Sequence, residues 1–252
     1  MEAGALHQTA ASLRSVFPRK GGRPKQRPMT RARVTLKLAT SLDGRIATAA
    51  GESRWITGEL ARREVQRLRA AHDAVMIGAE TARRDNPSLL ARTDPPPARQ
   101  PARIVLTSRL DLAAHAKLFT DVAASPVIVI TAENVAPSLR RNLEAAGARV
   151  EQVALVEGGL DIKAALERLS ALGYATVLAE GGGKVAASLI AADAVDRIEW
   201  FRAPIALGAA GRPAIGGLTY ASLAQAPTWR RLALRELGPD IWESYERPRK
   251  GD

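Results

Sequence analysis

Val34, Leu36 and Leu38 alternate with Thr35, Lys37 and Ala39. That period of two predicts a strand with one face turned to a core. Ser41-Leu42-Asp43-Gly44 interrupts it, Asp-Gly being a turn signal. Arg45–Ala49 predicts a further extended piece, ended by Gly51. Thr57 is placed to cap a helix through about Ala71, with Glu59 favourable in its first turn. Leu60, Val65 and Leu68 give that helix a loosely spaced apolar stripe. Ala74–Ile77 reads as a short buried strand, followed by Gly78 and a short helix to about Arg84 that Asn86-Pro87 stops.

Beyond the four prolines of the loop Asp94–Pro101, strands are predicted at Arg103–Leu106, Val127–Ile130, Arg149–Val153 and Thr176–Ala179. Helices are predicted at Ala136–Ala146 and Gly182–Ala192. Between them lies a helix capped by Asp161, with Ile162, Ala165, Leu166, Leu169 and Leu172 on one face. A long strand, Val195–Ile205, precedes the Gly-rich loop Gly208–Gly217, and Trp229–Leu234 and Ile241–Tyr245 close the chain as strands. Strands alternating with helices to about residue 205 predict an α/β domain on a largely parallel sheet. The terminal pair, with no helix between its members, predicts an antiparallel edge.

Composition narrows the chemistry. The 252 residues contain no cysteine, which removes thiolate nucleophiles, disulfide frameworks and zinc ribbons. His7, His72 and His115 stand at unrelated spacings, so a histidine metal site is not expected. No apolar run reaches the ~18–20 residues of a membrane span. The formal charge is 37 − 26 = +11. Residues 1–33 hold eight of the basic residues against Glu2, a net of 8 − 1 = +7, leaving 11 − 7 = +4 for the other 219. Residues 1–30 are therefore expected to form a poorly ordered basic arm and residues 31–252 one domain. The arm's composition also suits an organellar transit peptide. Nucleic-acid binding through it is the alternative from another class, but no set of stacking aromatics accompanies its charges. The mildly basic body suits an anionic small molecule.

Three groups of residues carry candidate chemistry. The strongest is Leu178-Ala179-Glu180-Gly181-Gly182-Gly183-Lys184, where a strand runs through glycines into a helix. Glycines let backbone N–H groups approach a ligand, and a helix N-terminus offers unpaired donors, so the turn reads as a phosphate or pyrophosphate cradle. Gly181 to Ala186 satisfies the dinucleotide pattern G-x-G-x-x-[GA], while a Walker A loop is excluded. The second group is Thr107-Ser108-Arg109 at the end of a strand, where a hydroxyl and a guanidinium suit a 2′-phosphate. The third gathers Lys37, Ser53, Trp55, Arg69, Asp85 and Arg92. A lysine on a strand face usually points to solvent, but on the inward side of a sheet Lys37 can have its pKa lowered and serve as a proton donor. Arg69 and Arg92 could clamp a phosphate bidentately. A lone aromatic such as Trp55 is more often core than ligand contact.

Together these fragments resemble the riboflavin-biosynthesis pyrimidine reductase domain, the C-terminal half of bifunctional deaminase/reductases. The resemblance rests on Leu36–Ala47, Gly51-Glu52-Ser53-Arg54-Trp55-Ile56-Thr57, Val65-Gln66-Arg67-Leu68-Arg69, Asp85-Asn86-Pro87-Ser88-Leu89, Glu180-Gly181-Gly182 and Gly238-Pro239-Asp240. It implies a dihydrofolate-reductase-like fold with helices on both faces of the sheet, and NADPH as cofactor. The implied substrate is a phosphoribosylaminopyrimidine whose ring-opened sugar imine takes hydride at C1′. By matching position, cofactor contacts fall on Ala39, Trp55, Thr81, Asp85, Ser108, Arg109 and the turn Gly181, Gly182, Gly183, Lys184, Val185 and Ser188. Substrate contacts fall on Ser53, Arg69, Leu89, Arg92 and Glu180. Lys37 or Asp85 is the candidate that delivers or positions the proton. The resemblance also implies a homodimer, a cytoplasmic location and a separate deaminase partner, with no membrane association. Ala39 and Gly183 depart from the family pattern, which has glycine often at the first position and Pro, Ser or Thr at the second.

Overall fold

The computed structural model describes residues 30–248. The expected basic arm, apart from Thr30, lies outside the described residues. In chain order the elements are β1 (Arg33–Thr40), β2 (Arg45–Ala47), α1 (Glu59–Ala71), β3 (Ala74–Gly78), α2 (Ala79–Asp85), β4 (Ala102–Leu106), β5 (Val127–Ala132), α3 (Pro137–Ala145) and β6 (Ala148–Val153). There follow β7 (Leu155–Val156), β8 (Gly159–Leu160), α4 (Ile162–Ala171), β9 (Thr176–Ala179), α5 (Gly183–Ala191), β10 (Val195–Arg202), β11 (Arg212–Pro213), β12 (Arg230–Leu237) and β13 (Asp240–Glu246).

Nine strands form one sheet in the order β12-β13-β10-β1-β9-β3-β4-β5-β6. From β10 to β6 every neighbouring pair is parallel, and β13 and β12 add an antiparallel edge. The alternation in β1 sorts its side chains. Leu36 and Leu38 join Leu166 and Leu169 of α4 and Leu189 and Ile190 of α5 on one face. Ala39 falls on the other face, with Ala61, Val65 and Leu68 of α1 and Phe201 of β10. Val75 and Ile77 of β3 also use that second side, with Ala82 of α2 and Leu143 of α3. Because helices cover both faces, the central strands are largely apolar, and all six residues of β5 are buried.

Several boundaries differ from the sequence expectations, each for a tertiary reason. Asp161 does cap α4, accepting the Ala164 N–H at 3.0 Å. Thr57 does not cap α1. Gly58 occupies that position, and its N–H donates to Asp240 Oδ2 at 2.6 Å from the far end of the chain. The buried stripe of α1 is Ala61, Val65 and Leu68, at spacings of four and three, while Leu60 is exposed. β10 ends at Arg202. Beyond it the chain stays tied to the turn after β1, by Ala203 N–H to Thr40 O and by Leu42 N–H to Ile205 O. β12 continues to Leu237 because Gly238, at φ +69°, makes a tight return to β13. The β7–β8 hairpin carried no readable period in the sequence.

The Ser41–Gly44 turn has a structural task. Asp43 accepts from the Ser41 hydroxyl at 2.6 Å and from the Leu207 and Gly208 N–H groups at 3.0 and 2.8 Å. These bonds, the Ser41 bond first, hold its carboxyl down to about 2. They fasten the segment after β10 to the end of β1, where β11 pairs with β2. Among the described residues no helix is long and apolar enough to cross a membrane.

Candidate active site

The carboxyl ends of β1, β9, β3 and β4 face one edge of the sheet, the edge at which α/β sheets bind ligands. There they open on a cleft of about 1000 Å³, closed on one side by Pro213, Ala214 and Gly216. Lys37 lies at its floor. The register Leu36↔Ala179 puts the next residues, Lys37 and Glu180, side by side on the α1 face. Glu180 continues the ladder past β9, its N–H donating to Met76 O at 2.9 Å. From the last turn of α1, Arg69 donates Nε and Nη2 to the two Glu180 oxygens at 2.6 and 2.8 Å, and Nη1 to Leu90 O at 3.1 Å. Two residues of α1's end therefore pin the helix to the sheet, since His72 Nε2 also meets Thr35 Oγ1 at 2.9 Å.

This arrangement is an alternating charge cluster, Arg69–Glu180–Lys37. Burial pushes the Glu180 carboxyl up, but the Arg69 charge and hydrogen bonds, with Lys37, outweigh it and hold the group below the usual carboxylate range. For Lys37 burial wins: it pushes the ammonium down, Glu180 raises it in part, and Arg69 lowers it further. The ammonium stands 6.0 Å from the centre of the Phe201 ring. A lysine of lowered pKa facing a cleft is equipped to give up a proton.

The glycine turn forms the adjacent wall. A Cβ on Gly181 would stand 2.8 Å from Gly78 N and from Ile77 Cα, so β9 and β3 approach here as only glycine permits. A Cβ on Gly183 would stand 2.5 Å from Pro213 O. A side chain at residue 183 would therefore require the Pro213 backbone to move. Gly182 is the N-cap of α5 and has no side-chain cap, so the first-turn N–H groups remain open to the cleft side. We expect Gly181→Ala to lower stability by about 1–3 kcal/mol, a Tm drop of several degrees. An unchanged Tm would show that the β3–β9 junction yields freely.

Fourteen of the expected site residues line this one cleft: Lys37, Ala39, Ser53, Thr81, Asp85, Ser108, Arg109, Glu180, Gly181, Gly182, Gly183, Lys184, Val185 and Ser188. Asp85 sits at the exposed rim, where partial burial raises its carboxyl against the opposing charge of Arg54. Four expected residues stand elsewhere. Trp55 is 70% exposed, neither core nor cleft, with the Arg62 guanidinium 4.6 Å over its ring. Leu89 is buried beside Val75 and Ile77. Arg92 is exposed and donates its backbone N–H to Gln66 Oε1. Arg69 is the largest correction: its fork is spent on Glu180, so it does not present a free bidentate clamp. Sequence reading also missed Arg83, Asp111, Glu80 and Arg212 in the cleft wall. No periodicity distinguishes them from solvated charges, and the loop carrying Arg212 reads only as Gly-rich.

Known proteins resemble this chain in sequence and in fold. A family model described as the RibD C-terminal domain matches residues 32–242. The riboflavin biosynthesis protein RibD of Bacillus amyloliquefaciens is 34% identical over 244 residues, covering 96% of this chain and 62% of the relative. The structure of Acinetobacter baumannii RibD superposes with a TM-score of 0.76 at 29% identity, covering 88% of this chain and 59% of that one. A Thermotoga maritima protein titled a diaminohydroxyphosphoribosylaminopyrimidine deaminase/5-amino-6-(5-phosphoribosylamino)uracil reductase has a TM-score of 0.70 at 26% identity, covering 86% and 57%. The chain thus spans about three fifths of the length of these relatives.

Proposed function

The chain belongs to the RibD C-terminal domain family, and on that premise we propose that it is an NADPH-dependent pyrimidine reductase of riboflavin biosynthesis. The reaction proposed reduces 5-amino-6-(5-phosphoribosylamino)uracil to its 5-phosphoribitylamino form. One observation carries this reading: Lys37, next to Glu180 across the β1–β9 register, shares a single cleft with a glycine turn built to the backbone's closest approach.

The glycine cradle fits a dinucleotide diphosphate, because the missing Cβ atoms and open N–H groups supply donors without steric cost. Gly181–Lys184 would hold the diphosphate, Ser108 and Arg109 the 2′-phosphate, and Ala39, Thr81, Val185 and Ser188 the remaining cofactor surface. Bound NADPH supplies the hydride that C1′ of the ring-opened imine accepts. Reduction of that C=N bond leaves the nitrogen one proton short, and the Lys37 ammonium is the donor we assign, with water restoring it afterwards. Asp85, at the rim, orients the substrate. Arg69 acts through Glu180, keeping it ionised and aimed at a sugar hydroxyl, while Ser53 and Arg92 meet the substrate's outer part. Much of the rate comes from orientation of the two reactants. The proposal includes a homodimer in the cytoplasm and a separate deaminase supplying the substrate, as the resemblance implies.

Turnover tests it. With the phosphoribosylaminopyrimidine present, the chain is expected to oxidise NADPH, and NADPH alone is expected to raise its Tm. Oxidation only with an unrelated carbonyl compound would replace the substrate. No Tm rise at saturating NADPH would remove the cofactor.

A further inference from the structure

A second cavity of about 580 Å³ adjoins the main cleft and shares Ser108, Arg109 and Gly159 with it. Its other walls are Asn134, Val135 and Ala136 after β5, and Leu155 and Val156 of β7, two apolar residues about half exposed. The two spaces form a track from the glycine turn, over the end of β4, to an apolar slot. A dinucleotide with its diphosphate on the turn and its base in the slot passes its adenosine ribose over Thr107–Asp111.

At that crossing the charges form a connected set. Asp111 Oδ2 accepts from Arg83 Nη1 at 2.6 Å, and Asp111 Oδ1 accepts from the Thr107 hydroxyl at 3.1 Å. Thr107 Oγ1 in turn accepts the Arg109 N–H at 3.3 Å. Arg83 of α2 is thereby tied to the backbone of Arg109, and Arg83, Asp111 and Arg109 all line the cleft. The side chains of Arg83 and Asp111 are 45% and 47% exposed, so both are open to a ligand. The other lining arginines are engaged elsewhere, Arg84 with Gly51 O and Arg212 with Glu80. A guanidinium has five N–H donors, and Asp111 takes one of Arg83's.

Resting on the reading that a dinucleotide occupies the cleft, we propose that Arg83 is the second cation of the 2′-phosphate site and sets the preference for a 2′-phosphorylated nucleotide, with Asp111 as its positioning residue. The logic is electrostatic. With Arg83 present, the Asp111 charge is neutralised and the remaining donors face the phosphate. Without it, Asp111 becomes a lone carboxylate, which repels a 2′-phosphate and accepts a 2′-hydroxyl.

Binding of 2′,5′-ADP and of 5′-ADP to the intact chain, measured by calorimetry, tests this without turnover. Arg83→Ala is expected to weaken 2′,5′-ADP roughly ten- to hundredfold, as loss of a charge-assisted hydrogen bond does, and to leave 5′-ADP within about twofold. Arg83→Lys, which keeps the charge, is expected to retain an intermediate affinity. Arg83→Ala/Asp111→Asn is expected to regain at least about threefold of the loss, since the repelling carboxylate is gone. The recovery is expected for 2′,5′-ADP and not for 5′-ADP, a selectivity that a merely structural pair would not produce. An equal loss for both nucleotides, no loss, or no recovery in the double variant overturns the proposal. A wild-type chain that binds neither nucleotide nor NADPH overturns the dinucleotide reading itself.

Discussion

Lys37→Met is expected to lower turnover roughly a hundred- to ten-thousandfold, the range that loss of a general acid produces, while NADPH still raises the Tm. Methionine keeps an unbranched stem over Phe201 and removes only the ammonium, so packing is preserved. Steady-state kinetics beside a thermal-shift titration separates the two effects. Turnover within about threefold of wild type would move the proton donor to Asp85 or to solvent. The pH profile provides a second check. Lys37 must be protonated to act, and burial has pushed its pKa down. Activity therefore falls as pH rises through a value below the ordinary lysine range. Because Arg69 contributes to that lowering, removing Arg69 moves the alkaline limb upward.

Arg69→Met has the largest expected effect on stability. Its side chain is 12% exposed and that of Glu180 is 8% exposed, so the substitution leaves a nearly buried carboxylate with Lys37 as its remaining cation. Breaking such a pair from one side costs about 3–5 kcal/mol, a Tm drop on the order of 10 °C in a chain of this size. The sign of its pH dependence follows from the Glu180 shift. A depressed carboxyl contributes stability that is fully present above its unfolded value and is lost as pH falls through its folded value. In the variant, burial is opposed less, the folded pKa rises, and protonation relieves the penalty. The Tm gap between wild type and Arg69→Met should therefore narrow on acidification. A gap independent of pH would mean that the lost stem packing, not the broken pair, causes it. Arg69→Met/Glu180→Gln is expected to regain part of the loss, because the uncompensated charge is removed with its partner.

Much of the fold was legible because its information is local. Alternation in Val34–Leu38, the apolar run of β5 and the Asp161 cap each predict an element within a few residues, and each is present. The glycine turn was legible for the same reason: three consecutive glycines between a strand and a helix mark a close approach of backbone, and that approach is present. The α1 cap was not legible, because its acceptor, Asp240, lies 182 positions away. Nor was the true partner of Arg69, 111 positions distant. A sequence shows that an arginine and a glutamate exist, and only the parallel register of β1 and β9 beside α1 brings them together.

By itself, then, the sequence determined the alternation of strands and helices, the antiparallel edge, the glycine turn between strand and helix, and a lysine on the strand face opposite Leu36 and Leu38, all properties of short-range periodicity and residue type. Tertiary structure alone decided that Arg69 is spent on Glu180, that Asp43 ties down the segment behind the cleft, and that Arg83 and Asp111 meet at the end of β4. Charged side chains are long and have no period. Their partners are chosen by the fold's geometry and by the cost of leaving a charge unpaired away from water, and neither is written in the order of neighbouring residues.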